Sequence, residues 1–107
     1  MNASARFTLD PTTTFLLVHG SGTSSSMWAP LQREQALRAF RSYAIDLPGH
    51  GLDAQYSPAY QAPQDLDTWA REPSTLATVT VGDNAAAILS AAERLAAHGP
   101  VLLVGSS

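Results

Sequence analysis

Four apolar residues in a row, Phe15 to Val18, stand between a threonine run and the polar stretch His19-Gly20-Ser21-Gly22. A short apolar run without alternation predicts a strand buried on both faces. Val101 to Val104 repeats that pattern and predicts a second strand of the same kind. A third candidate, Tyr43 to Ile45, is shorter and stops at Asp46, where Pro48, Gly49 and Gly51 enforce a turn. Arg6 to Leu9 predicts a weak leading strand at the sheet edge.

Between Met27 and Phe40 apolar residues recur at Trp28, Leu31, Leu37 and Phe40, a spacing that predicts a helix with Pro30 confined to its first turn. A later helix is more sharply written. Val81, Ala85, Ile88, Leu89, Ala92 and Leu95 fall on one helical face, and Thr80 with Asp83 can serve the free amides at its start. His98, Gly99 and Pro100 then stop it. The segment from Leu52 to Thr75 holds Pro58, Pro63 and Pro73 and keeps no sustained period. It predicts a long surface excursion with a short helical turn from Leu66 to Ala70.

Strand, helix, strand, helix, strand with doubly buried strands implies an α/β chain: a mostly parallel sheet flanked by helices and joined by right-handed crossovers. At 107 residues the chain has room for one domain and no second.

Composition narrows the partners. Six arginines against nine acids give a net charge of -3, and no basic cluster is present to neutralise a row of phosphates or an anionic membrane. Nucleic acid is therefore not expected as a partner. The absence of cysteine removes disulfides, thiolate zinc sites and a cysteine nucleophile. No apolar run approaches the 18 or so residues of a membrane span, and the start lacks the charged and apolar regions of a signal peptide. A cytoplasmic location without membrane attachment is the expectation.

In sheets of this kind ligands bind beyond the carboxyl ends of the strands. Three loops leave such ends: His19 to Gly22, Asp46 to Gly51, and Gly105 to Ser107. All three are expected to face one crevice. Gly105, Ser106 and Ser107 match the first three positions of a GxSxG nucleophile elbow, which would make Ser107 the nucleophile; an ordinary turn explains the same three residues. Acyl transfer also needs amide donors aimed at an oxyanion, and the Ser21 amide is the best candidate in the loop after the first strand. Gly20 and Gly22 would let that loop take positive torsions and approach a substrate. A phosphate nest is the competing reading of the loop, but no GxxxxGK[ST] or GxGxxG accompanies it.

Taken in order, "FLLVHGSGTSSSMW", "AIDLPGHG" and "VLLVGSS" resemble the amino-terminal half of an α/β-hydrolase, over nearly the whole chain from Phe15 onward. The resemblance implies a mostly parallel sheet, a triad in the order Ser, acid, His, and an oxyanion hole made by the residue after HG together with the one after the nucleophile. By position Ser107 becomes the nucleophile and Ser21 supplies one amide. On this resemblance residues 1–107 are expected to form the amino-terminal part of a single hydrolase domain, with acid and histidine lying outside them. Taken by itself, the chain is expected to be poorly folded and inactive. The remainder of the domain is then the expected protein partner.

The function so implied is a serine hydrolase acting on a carboxylic ester or related acyl small molecule, with no cofactor. A serine in the nucleophile position separates the chain from haloalkane dehalogenases and epoxide hydrolases, which carry aspartate there. Same-fold lyases, cofactor-free haloperoxidases and a noncatalytic fragment that binds a complementary chain stay open. The three histidines lack metal spacing. His19 and His50 read as loop organisers rather than as the base, His98 as a helix-end residue, and Asp46 as a turn organiser. Trp28 reads first as packing beneath the loop and second as part of an acyl pocket. Tyr56, Tyr60 and Trp69 are candidates to line an entrance.

Overall fold

The apolar run predicted as a strand is the centre of the sheet. In the computed structural model, which describes residues 9–54, 63–72 and 75–107, β1 (Thr14–Val18) lies between β2 (Arg41–Ile45) and β3 (Val101–Gly105). Both pairings are parallel, with Thr14 opposite Arg41 and Val101, and Val18 opposite Ile45 and Gly105. The β1/β3 ladder is extended at each end, by the Thr14 amide to the Pro100 carbonyl at 2.9 Å and the Ser106 amide to the Val18 carbonyl at 3.0 Å. The chain is thus α/β, a parallel sheet flanked by helices.

Alternation along β1 divides its side chains between two faces. Leu16 and Val18 join Ile45 and Leu47 in one cluster, closed by Ile88, Ala91, Ala92 and Leu95 of α3 (Val81–Ala96) and by Val101. On the opposite face Phe15 meets Phe40 edge-on, with ring centres 5.8 Å apart. Leu16 and Leu17 are both completely buried, each contributing roughly 1.5–3 kcal/mol by removal from water.

The helix α3 begins with a full capping box. Thr80 Oγ1 accepts the Asp83 amide at 3.0 Å, and Asp83 Oδ2 accepts the Thr80 amide at 2.9 Å. The predicted inward face holds for Ile88, Ala92 and Leu95, with Ala91 added. Leu89 lies to the side of that face, and Val81 sits in the first turn, ahead of the packed stretch; both are exposed.

The earlier helix differs more from its pattern. A 3-10 turn over Ser25–Trp28 leads into α1 (Ala29–Leu37), and the residue α1 buries is Gln35, while Leu31, Leu37 and Phe40 are exposed. Its end explains why Phe40 leaves the helix. The Phe40 amide bonds to the Gln35 carbonyl at 2.8 Å and the Ala39 amide to the Ala36 carbonyl at 3.1 Å, with Ala39 at φ +61°. This is a Schellman stop with alanine in the left-handed position where glycine is usual. It turns the chain directly into β2.

β3 corrects the expectation of a second doubly buried strand, since Leu102 and Leu103 are exposed, Leu103 by 60%. Among the described residues β3 pairs on one side only, so burial is shared with one neighbour instead of two. A short α2 (Leu66–Arg71) occupies the predicted helical turn in the excursion, with Asp65 capping it through the Thr68 amide at 3.1 Å; a 3-10 turn follows over Thr75–Thr78. The predicted leading strand at Arg6 falls largely outside the described residues, as do Tyr56 and Tyr60. No helix among the described residues is long and apolar enough to cross a membrane.

Candidate active site

Parallel strands deliver their carboxyl ends to one edge of the sheet, and the three loops leaving that edge are stitched together. His19 emerges from β1 almost fully buried, and its Nε2 accepts the Leu47 amide at 3.0 Å. An amide can only donate, so Nε2 is the unprotonated nitrogen and Nδ1 carries the proton, which it gives to the Gly20 carbonyl at 2.8 Å. His50 is arranged in the same way. Its Nε2 accepts the Gly22 amide at 3.3 Å and its Nδ1 donates to the Pro48 carbonyl at 2.9 Å. Both cross-loop bonds span 28 positions, so the loops run side by side in step, as β1 and β2 do beneath them. The two imidazole rings lie 4.9 Å apart.

Asp46 makes the third stitch. Its Oδ1 accepts the Ser25 amide at 2.8 Å, tying the start of the 3-10 turn to the end of β2. That amide hydrogen bond holds the Asp46 carboxyl below its ordinary value of 3.8, against the partial burial that pushes it up; the Ser25 hydroxyl, the Leu52 amide and nearby His19 help to lower it. Asp46 is therefore a turn organiser, as the sequence suggests.

Ser21 is exposed at the tip of the turn Gly20 to Thr23, closed by the Thr23 amide to the Gly20 carbonyl at 3.2 Å. Gly22 takes φ +77° in this turn while Ser21 does not take a positive φ, which defines a type II turn with glycine where the geometry requires it. Gly20, expected to need a positive torsion as well, does not have one; its lack of a side chain provides space. A β-carbon at Gly20 would lie 3.0 Å from the Ser107 carbonyl carbon and 3.2 Å from the Ser106 oxygen.

The Gly20 carbonyl is held from several sides at once, by His19 Nδ1, by the Thr23 amide and by Thr23 Oγ1 at 2.6 Å. In a trans peptide the N–H points opposite to the C=O. Fixing the Gly20 oxygen therefore fixes the direction of the Ser21 N–H, away from those donors. Ser107 follows β3 on the exposed side of the same edge, with its backbone against Gly20 and one residue from Ser21. The backbones of all three loops thus meet around Gly20.

The other candidates lie elsewhere or serve packing. His98 is exposed at the far end of α3, and Trp69 on α2 is exposed. Trp28 closes the 3-10 turn half-buried, with its Nε1 buried and unpartnered among the described residues. An open groove between β2 and α3, lined by Tyr43, Ala87, Ala91 and Arg94, reaches Asp46 and Ser25 but neither Gly20 nor Ser107. Among the described residues no group of three or more histidine and acidic side chains could hold a metal ion. Sequence reasoning missed Ser25 and the amide-accepting role of His50, because both depend on partners more than 20 positions away.

No curated protein matches the chain with significance. The model of the alpha/beta hydrolase family matches residues 15–107, from the second residue of β1 through Ser107. That match covers most of the chain and coincides with the parallel sheet and its stitched loops, so the chain belongs to the alpha/beta hydrolase family.

Proposed function

We propose that this chain carries the nucleophile and one oxyanion donor of a serine hydrolase acting on a carboxylic ester or related acyl substrate. The observation that supports this most directly is the contact of Gly20 with the Ser106–Ser107 backbone, which puts the Ser21 turn beside the candidate nucleophile. Ser107 Oγ attacks the acyl carbon and gives its proton to a histidine base, while the Ser21 N–H donates to the oxygen that gains negative charge. Collapse of the tetrahedral species expels the alcohol, which takes the proton back. Water then repeats the sequence on the acyl-serine and frees the acid.

The base is not one of the described histidines. His19 and His50 have both ring nitrogens engaged by the main chain, and His98 lies at the end of α3 remote from the strand carboxyl ends. On this reading base and acid come from the remainder of the same domain, outside residues 1–107.

Treatment of the full-length protein with a fluorophosphonate is expected to leave a covalent adduct on Ser107, and Ser107→Ala is expected to lose both the adduct and turnover of a nitrophenyl ester. Undiminished turnover by Ser107→Ala would overturn the assignment.

A further inference from the structure

We propose that His50 is a positioning residue whose neutral Nε2 holds the Gly22 N–H, and with it the Ser21 turn, and that a proton taken up by His50 releases that turn. Its catalytic consequence rests on the reading of Ser21 as an oxyanion donor. Two successive peptide planes flank Ser21. The first, Gly20 to Ser21, is held by its oxygen through His19 Nδ1 and Thr23. The second, Ser21 to Gly22, is held by its nitrogen through His50 Nε2. Ser21, Gly22 and Thr23 are exposed, so this turn is fixed from beneath by hydrogen bonds rather than by burial. The first plane carries the Ser21 N–H, and holding the second fixes the torsions of Ser21 between them, so that the whole turn keeps one conformation.

A protonated His50 would present an N–H at Nε2 to the Gly22 N–H, turning an attraction into a collision of two donors. His19 cannot substitute, because its Nε2 already accepts the Leu47 amide. The ionisable side chains near His50 are His19, at 4.9 Å between ring centres, and Asp46, four residues earlier in the same loop. Residues 20–26 of the neighbouring loop and 75–80 of the segment containing Leu76, which packs on Gly49, carry no ionisable side chain.

The test is a pH titration of the isotope-labelled full-length protein by magnetic resonance, following the imidazole nitrogens and the Gly22 backbone amide. His50 is expected to carry its proton on Nδ1 near neutral pH, and the Gly22 amide is expected to shift with the same midpoint as the His50 ring. In His50→Gln, whose side-chain oxygen can accept the same amide, that step at Gly22 should vanish. Ester turnover should fall about tenfold or more in His50→Ala with little change in KM, and His50→Gln should recover part of it. A proton on Nε2, or a Gly22 amide that ignores the His50 titration, would overturn the proposal whatever the hydrolysis assay shows. Coupled titration in a protein that turns over no ester would instead sink the hydrolase reading and leave the His50 clamp standing.

Discussion

Gly20 and Ser107 pack backbone against backbone, so closely that a β-carbon on the glycine would lie 3.0 Å from the Ser107 carbonyl carbon. The contact joins the loop after β1 to the residue after β3, two segments that the sheet brings together from opposite ends of the chain.

Gly20→Ala is therefore expected to displace the Ser106–Ser107 backbone or the Ser21 turn by a few tenths of an ångström. Overpacking of this kind costs about 1–3 kcal/mol, read as a lowered urea midpoint. Fluorophosphonate labelling at Ser107 should slow by about tenfold or more, because small misplacements of reacting groups are expensive. Labelling at the native rate would show that the contact is not needed.

Ala39→Gly is expected to stabilise the protein. Ala39 holds φ +61° at the stop of α1, a conformation that costs an L-residue roughly 1–2 kcal/mol and glycine almost nothing. After the greater chain entropy of unfolded glycine is set against this, a net gain of about 0.5–1 kcal/mol remains. Chemical denaturation of the two proteins measures it directly, and a destabilised variant would contradict the Schellman assignment.

Asp46 gives stability a defined acid dependence. Its folded pKa lies below the ordinary 3.8, so its contribution is complete above about that pH and is lost as the pH falls through the folded value. Asp46→Ala should cost roughly 1.5–3 kcal/mol at neutral pH, the range for a hydrogen bond to a charged acceptor. The difference from wild type should shrink below pH 3.8. Denaturant titrations at pH 7 and pH 3 compare the two, and a difference independent of pH would refute the role of the carboxylate charge.

How much of this was legible beforehand depended on how local the cause was. β1 could be read from Phe15 to Val18 because a central strand is apolar on both faces. The capping box of α3 was equally plain, since Thr80 and Asp83 are neighbours along one turn. β2 begins two residues before its predicted start, at Arg41 and Ser42, because a strand with one pairing partner among the described residues tolerates polar side chains. The exposure of Leu103 was hidden because a hydrophobic run records what a strand can bury and not how many neighbours it has. Leu31 and Leu37 misled in the same manner: both are exposed, and α1 is placed by its connections to the 3-10 turn and β2, not by a continuous apolar face. At the site the glycines and serines could be named, but the bonds from Leu47 to His19 and from Gly22 to His50 join segments whose adjacency exists only once the parallel sheet has formed.

The position of β1 in the middle of the sheet also sets a problem for synthesis. A ribosome delivers Phe15 to Val18 well before it delivers Val101 to Val104, so the most apolar segment lacks one of its two pairing partners for on the order of ten seconds. Over that interval the nascent segment offers an unpaired apolar edge, and neighbouring nascent chains compete with β3 to pair with it.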